Sequence, residues 1–281
     1  MKKLFLVFIV IFLAVVIFSG LGNDQYAIEK RFWGLQKRAE KVFTNPAASP
    51  PMELERVAGL FQAFIKKFPN NQLSLQSEFV IARLYMVKEE YDKARVQLKA
   101  VLDKYSKSQA ICSEAVFLAG NSYEIEGKWG PALEQYKTII KEYPLTLRGF
   151  STPVYIAQHY KIKYQPDKMI TAFQEAIAHY RQLADKYAGS PAAYQAEALI
   201  AQCYMALKDW PAAIAAFNAT IEKFKGKVPG DGALLRIALI YKNELKDNVK
   251  AKQVLEQLIK DYPQSRFLKS AEALLKEAGG K

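Results

Sequence analysis

The sequence predicts an all-α protein, a solenoid of about six stacked helix pairs closed by a C-terminal capping helix. Three observations carry that prediction. An aromatic residue recurs as Phe68, Tyr105, Tyr143, Tyr187, Phe224 and Tyr262, at intervals of 37, 38, 44, 37 and 38. Each closes an apolar, Lys-rich stretch with an apolar or small residue three positions earlier (Ile65, Leu102, Ile140, Ala184, Ile221, Ile259), and prolines 69, 144 and 263 follow three of them directly. Apolar residues between them step by three and four, and no segment alternates as a strand would. A period in this range marks a stacked repeat, whose units bury their faces against neighbours, so a chain of 281 residues needs no single round core.

The first element is a separate device. Lys2 and Lys3 precede an unbroken apolar run from Leu4 to Phe18, and the uncharged stretch continues to Gly22. Nineteen helical residues at about 1.5 Å each reach about 28 Å, the thickness of a bilayer core. Residues 1–22 therefore read as a signal-anchor or a signal peptide, and as an N-terminal hydrophobic helix. The small residues of Gly20-Leu21-Gly22 suit signal peptidase, whereas the length of the apolar run favours an uncleaved anchor. Either way the lysines stay cytoplasmic and the rest is exported.

The body spans 25–277. In the first pair, 25–68, Ile28, Phe32, Leu35, Ala39 and Val42 step by 4, 3, 4 and 3 along one helix face. Prolines 46, 50 and 51 break the chain before a second helix begins near Met52. The same figure returns over 73–105, 109–143, 152–187, 191–225 and 231–262, and 264–277 is left as the cap. Prolines 131, 166 and 211 fall in the first turns of second helices, where the N–H they lack would have no partner. The interval of 44 places a longer second helix, about 166–187, in the fourth pair.

Composition excludes more than it specifies. Half the residues are hydrophobic, ample for a packed body. The net charge of +12 is +10 once Lys2 and Lys3 are set aside, and its Lys/Arg runs are interleaved with Asp and Glu. Solvated helix faces explain that pattern, and nucleic acid is not expected because no binding module is visible. Cys112 and Cys203 sit on different repeats and read as small core hydrophobes. His159 and His179, the only histidines, have no metal spacing, and no phosphate-binding or nucleophile motif occurs. No enzyme activity, cofactor or metal is expected.

In the third pair Gly120, Tyr123, Ala132, Tyr136 and Pro144 fall at steps of 3, 9, 4 and 8. This resembles the tetratricopeptide repeat. Ala82, Tyr85, Ala94 and Leu98 repeat the pattern, as do Ala201, Tyr204, Ala213 and Phe217. The fourth pair keeps Ala157 and Tyr160. The sixth keeps Ala238 and Tyr241, with Ala251 one position late. Small residues let two helices approach, and the aromatic fills the space beside them, each buried ring contributing roughly 1.5–3 kcal/mol. The tyrosines of this pattern are therefore read as structural. The resemblance implies a right-handed superhelix whose first helices line a concave groove. It places Arg83, Asn121, Gln158, Gln202 and Leu239 there, with Met86, Glu124, Lys161, Met205 and Lys242 beside them, and Phe79 and Phe117 four residues before the first column.

An apolar leader followed by such an array is also similar to repeat proteins of the bacterial envelope. These are the β-barrel assembly lipoprotein, the Tol–Pal-associated division coordinator and single-span translocon-associated proteins. The chain departs from the first in having no lipidation cysteine, and from the second in lacking a trimerising coiled coil. The resemblance implies a non-catalytic protein–protein interaction scaffold at the inner membrane, held by residues 4–22 if they stay uncleaved, with its repeats in the periplasm. Peptide or helical segments of envelope proteins would be its partners. An outer-membrane biogenesis factor and an exported glycan- or anionic-lipid-binding module are the alternatives.

Overall fold

The computed structural model describes residues 25–279, which are helical with no strand. The apolar leader lies outside the described residues. Among those described, no helix is long and apolar enough to cross a membrane. The described residues form two compact units, divided between Tyr143 and Pro144.

The first unit holds α1 (25–44), α2 (Pro51–Lys67), α3 (Gln72–Val87), α4 (Tyr91–Lys104), α5 (Gln109–Ile125) and α6 (Trp129–Glu142). The second holds α7 (Leu147–Ile162), α8 (Pro166–Lys186), α9 (Pro191–Ala206), α10 (Trp210–Lys223), α11 (Asp231–Leu239), α12 (Asn248–Asp261) and α13 (Leu268–Gly279). Helices α4, α6, α10 and α12 have 14 residues each, whereas α8 has 21, two turns more.

The six periodic aromatics are the residues that cap α2, α4, α6, α8, α10 and α12. Where the chain turns into the next pair, the aromatic's carbonyl accepts an N–H from three residues on, as in Asn71 to Phe68, Ser108 to Tyr105 and Ser190 to Tyr187. Asn71, Thr146 and Ser190 then cap the following helix with their side chains.

Turns inside the pairs are equally regular. The carbonyls of Tyr85, Tyr123, Tyr160 and Tyr204 each accept an N–H from five residues on. The residue before that donor is left-handed: Glu89, Gly127, Tyr164 and Lys208, with φ between 54° and 82°. Only one of the four is glycine.

Packing follows the small–aromatic pattern. Ala82, Ala94, Ala132, Ala157, Ala201, Ala213, Ala238 and Ala251 are all buried. A Cβ on Gly120 would lie 2.6 Å from Cε1 of Tyr136. Core clusters are shared by three consecutive helices: α1–α3, α3–α5, α9–α11 and α11–α13. Tyr85, Tyr123, Tyr160 and Tyr241 carry cations on their rings, with Lys93 at 6.0 Å from Tyr85 and Arg95 at 4.1 Å from Tyr123. Arg95 also pairs with Glu126 at 2.8 Å, tying α4 to the end of α5. Cys112 and Cys203 are free and buried, and burial pushes the Cys203 thiol up to about 12. It packs as a small hydrophobe.

Two starts differ from the sequence prediction. Helix α7 begins at Leu147, before the predicted 152, and runs through Pro153. Thr146 caps it, its Oγ1 accepting the Gly149 N–H at 3.0 Å. Around the proline, Thr152 Oγ1 donates to the Arg148 carbonyl at 2.7 Å, and the Tyr180 hydroxyl donates to that of Phe150. Pro153 removes the N–H that would reach the Gly149 carbonyl, and these two side-chain bonds brace the turn on either side of that gap. Helix α13 begins at Leu268 rather than 264, because Ser265 holds residues 263–267 as a corner.

Candidate functional site

A cleft of about 990 Å³ lies in the second unit, between α9, α11 and the corner after α12. Two close contacts build it. Gly230 leads into α11 where a Cβ would meet the Tyr262 hydroxyl at 2.8 Å and Ile221 at 3.1 Å. Asp231, the first residue of α11, accepts the Ser265 hydroxyl at 2.6 Å, and Ser265 Oγ accepts the Phe267 N–H at 3.0 Å. The corner is thereby fastened to the start of α11, with Phe267 and Arg266 on the rim.

The walls are mainly apolar: Tyr194 and Ala198 of α9, Phe217 of α10, Val228 and Pro229 before α11, and Leu235 and Leu239 on it. Tyr194 is steadied edge-on by Phe224, ring centres 5.2 Å apart. Arg236 and Arg266 are exposed at the opening, and no carboxylate pairs with either among the described residues. The Arg266 guanidinium lies 4.7 Å over the Phe267 ring, which orients it. Asp231, though in the lining, is already engaged by Ser265 and the Gly232 N–H. The cleft therefore offers apolar walls, the Gln202 amide, two cationic donors and, at the end of α12, the Asp261 carboxylate. That set can hold an extended or helical segment bearing apolar and acidic side chains. No group of three or more His, Cys, Asp or Glu among the described residues could hold a metal.

The sequence-predicted groove residues divide. Gln202 and Leu239 line this cleft together. Met205, beside Gln202, is half-buried against the α9–α11 core. Lys242 pairs with Glu277. Gln158 and Lys161 are exposed on α7. In the first unit Arg83 is exposed, 4.0 Å from Glu114 of α5, and Asn121 is half-buried. Glu124 accepts the hydroxyl of the buried Tyr136 at 2.8 Å, so its carboxylate serves the packing. Met86 and Phe117 are core residues, not groove lining. Met86 packs with Ala82, Ala94 and Leu98, and Phe117 sits 5.4 Å from the Tyr136 ring, both 7% exposed. Phe79 is half-buried against the same α3–α5 core. A column drawn on a helix at steps of three and four drifts into the packed face, and that is what catches Met86 and Phe117. Sequence reasoning missed Tyr194, Arg236, Arg266 and Phe267. The last two lie where a cap helix was expected, and Arg236 falls outside the assumed columns.

The fold is that of a helical-repeat protein with a cleft in its second unit. Models of the tetratricopeptide repeat match residues 172–228 and 232–265, so the chain carries tetratricopeptide repeats. Such repeats indicate a protein–protein interaction scaffold. No curated protein matches the chain. Among solved structures it is similar to BtubC (BKLC) from P. vanneervenii, at 14% identity over 91% of this chain and 93% of that one, TM-score 0.42. A tetratricopeptide repeat protein from Parabacteroides merdae has 14% identity over 89% and 87% of the two chains, TM-score 0.38. The TPR2AB domain of yeast Sti1, in complex with pHSP90, has 14% identity over 89% and 99%, TM-score 0.33.

Proposed function

We propose that this protein is a non-catalytic scaffold of the bacterial cell envelope, tethered at the inner membrane through residues 4–22 with its repeats in the periplasm. It holds a segment of a partner protein in the α9–α11 cleft. One observation carries the binding reading: a largely apolar cleft of about 990 Å³ opening beside two guanidinium groups that, among the described residues, have no carboxylate partner. The apolar leader supports the tether, and the absence of catalytic motifs from the sequence supports the non-catalytic reading.

Photo-crosslinking tests the cleft. A crosslinker at Gln202 or Leu239 in the intact cell should capture one discrete partner, and Arg236→Glu with Arg266→Glu should abolish capture. Capture that survives both reversals, or that is equal from an exposed position on α12 such as Lys252, would remove the assignment. Thiol labelling of an engineered surface cysteine in whole cells tests the periplasmic placement: protection from a membrane-impermeant reagent would overturn it.

A further inference from the structure

A second, separate site lies in the first unit. The groove between α1 and α2, about 460 Å³, is floored by apolar side chains including Phe64 and Phe68 and rimmed by Lys30, Arg31, Arg38 and Lys67. No carboxylate lines it. Glu53 feels the rim through Arg38, but its pKa is lowered chiefly by its hydrogen bond from Arg56. That carboxylate is committed to Arg56 at 2.8 Å. None of the four rim cations has an ion-pair partner among the described residues.

The outer face of α1 repeats the same chemistry. Tyr26 and Trp33, 64% and 60% exposed, lie on one stripe with Lys30 and Lys37, at steps of 4, 3 and 4, with Glu29 and Glu40 also on this face and Glu29 accepting the Gln25 amide at 2.8 Å. Lys37 sits 3.9 Å over the Trp33 ring. Exposed Trp and Tyr among lysines and arginines are what a polypeptide presents to a membrane–water interface, where rings settle at headgroup level and cations meet phosphate. In sequence this helix begins seven residues after the apolar run that ends at Phe18.

We propose that α1 and α2 form an anionic-lipid site, with the phosphate of a lipid headgroup held by Lys30, Arg31, Arg38 and Lys67 and the Tyr26–Trp33 face lying on the bilayer surface. The site is independent of the partner cleft and does not require that residues 4–22 span the membrane.

The test uses the full chain in neutral-detergent micelles doped with dioleoylphosphatidylglycerol or, at equal mole fraction, dioleoylphosphatidylcholine, with glycerol 3-phosphate as a soluble third arm. Amide exchange over residues 25–44 and 60–68 should slow at least about threefold with the anionic lipid alone. The effect should fade as salt rises from roughly 0.05 to 0.5 M. Lys30→Glu, Arg31→Glu, Arg38→Glu and Lys67→Glu together should abolish it, whereas Lys225→Glu with Lys227→Glu should leave it intact. The corresponding Gln set gives the same reading if reversal disturbs the helices. Equal exchange in the two lipids, protection that survives the four changes, or full protection by glycerol 3-phosphate would overturn the proposal.

Discussion

His179 is a residue whose burial has a thermodynamic consequence. Its Nε2 is buried without a hydrogen-bond partner, and burial lowers its pKa below the ordinary 6.5. The folded chain thus binds this proton less readily than the unfolded chain. Stability is fully present above about pH 6.5 and falls as pH drops toward the folded pKa. The shifted carboxylates act in a lower window. Glu53, Glu90, Asp92, Glu126 and Asp247 are all held below their usual values, chiefly by hydrogen bonds from Arg56, Lys88, Arg95, Lys128 and the Lys250 backbone respectively. Their stability is lost only below about pH 4.5. Between pH 7.5 and 5.5, then, His179 should set the slope. Urea midpoints measured over that range should fall for the natural chain and stay flatter for His179→Gln. Parallel curves would show that the imidazole is not carrying the dependence.

At the scale of the element, the sixth pair shows how a single extra residue is absorbed. Elsewhere the inter-helix turn runs from a tyrosine to an N–H five residues on, but here the Asp247 N–H reaches the Tyr241 carbonyl, six residues on. The left-handed residue is likewise one later, Lys246 at φ 54°. Lys250 covers the Tyr241 ring nine residues on, where Lys93 and Lys168 cover theirs at eight. The surplus is taken up as a π-turn over Ile240–Glu244. In sequence this shows only as Ala251 falling one place late. Set against Tyr204-to-Asp209, the segment Tyr241-to-Asp247 matches Leu207-Lys208-Asp209 with Leu245-Lys246-Asp247, so the extra residue falls within Lys242-Asn243-Glu244, of which Asn243 and Glu244 are exposed. Deleting Glu244 should leave Leu245-Lys246-Asp247 playing the parts of Leu207-Lys208-Asp209, with a plain α-helical end to α11. Thermal midpoints should shift by less than about 4 °C, which corresponds to roughly 1 kcal/mol. A larger drop would mean that the π-turn is needed and not merely tolerated. The same comparison shows what sequence can convey. Tyr–Ala spacing made the pairs and the long α8 legible, because packing repeats with the chain. The left-handed turn residues were not legible, since Gly127 alone advertises them and Glu89, Tyr164, Lys208 and Lys246 do not. Nor was the start of α7, which Thr146 caps ahead of an internal proline. The rim of the cleft depends on a Ser265–Asp231 bond across 34 positions, which no local pattern reports.

At the scale of the whole molecule, the helices pack mainly on their neighbours in sequence, and core clusters are passed along three helices at a time. Stability in such a chain is a sum of local terms and nearest-neighbour terms, so damage should stay near its origin. Gly120 offers a clean way to inflict it. The Tyr136 ring it faces is fully buried, bonded to Glu124 and packed against Phe117 and Trp129, so it has little freedom to yield to a Cβ at 2.6 Å. Gly120→Ala should therefore cost about 1–3 kcal/mol by overpacking. Amide exchange should quicken over α5 and α6 and their neighbour α4, while α11, α12 and α13 keep their protection. Uniform quickening across residues 25–279 would mean that the chain unfolds as one cooperative body, and the nearest-neighbour description would have to be abandoned. Confined quickening would also mean that partner binding at the α9–α11 cleft and lipid binding at α1 and α2 can be altered one at a time.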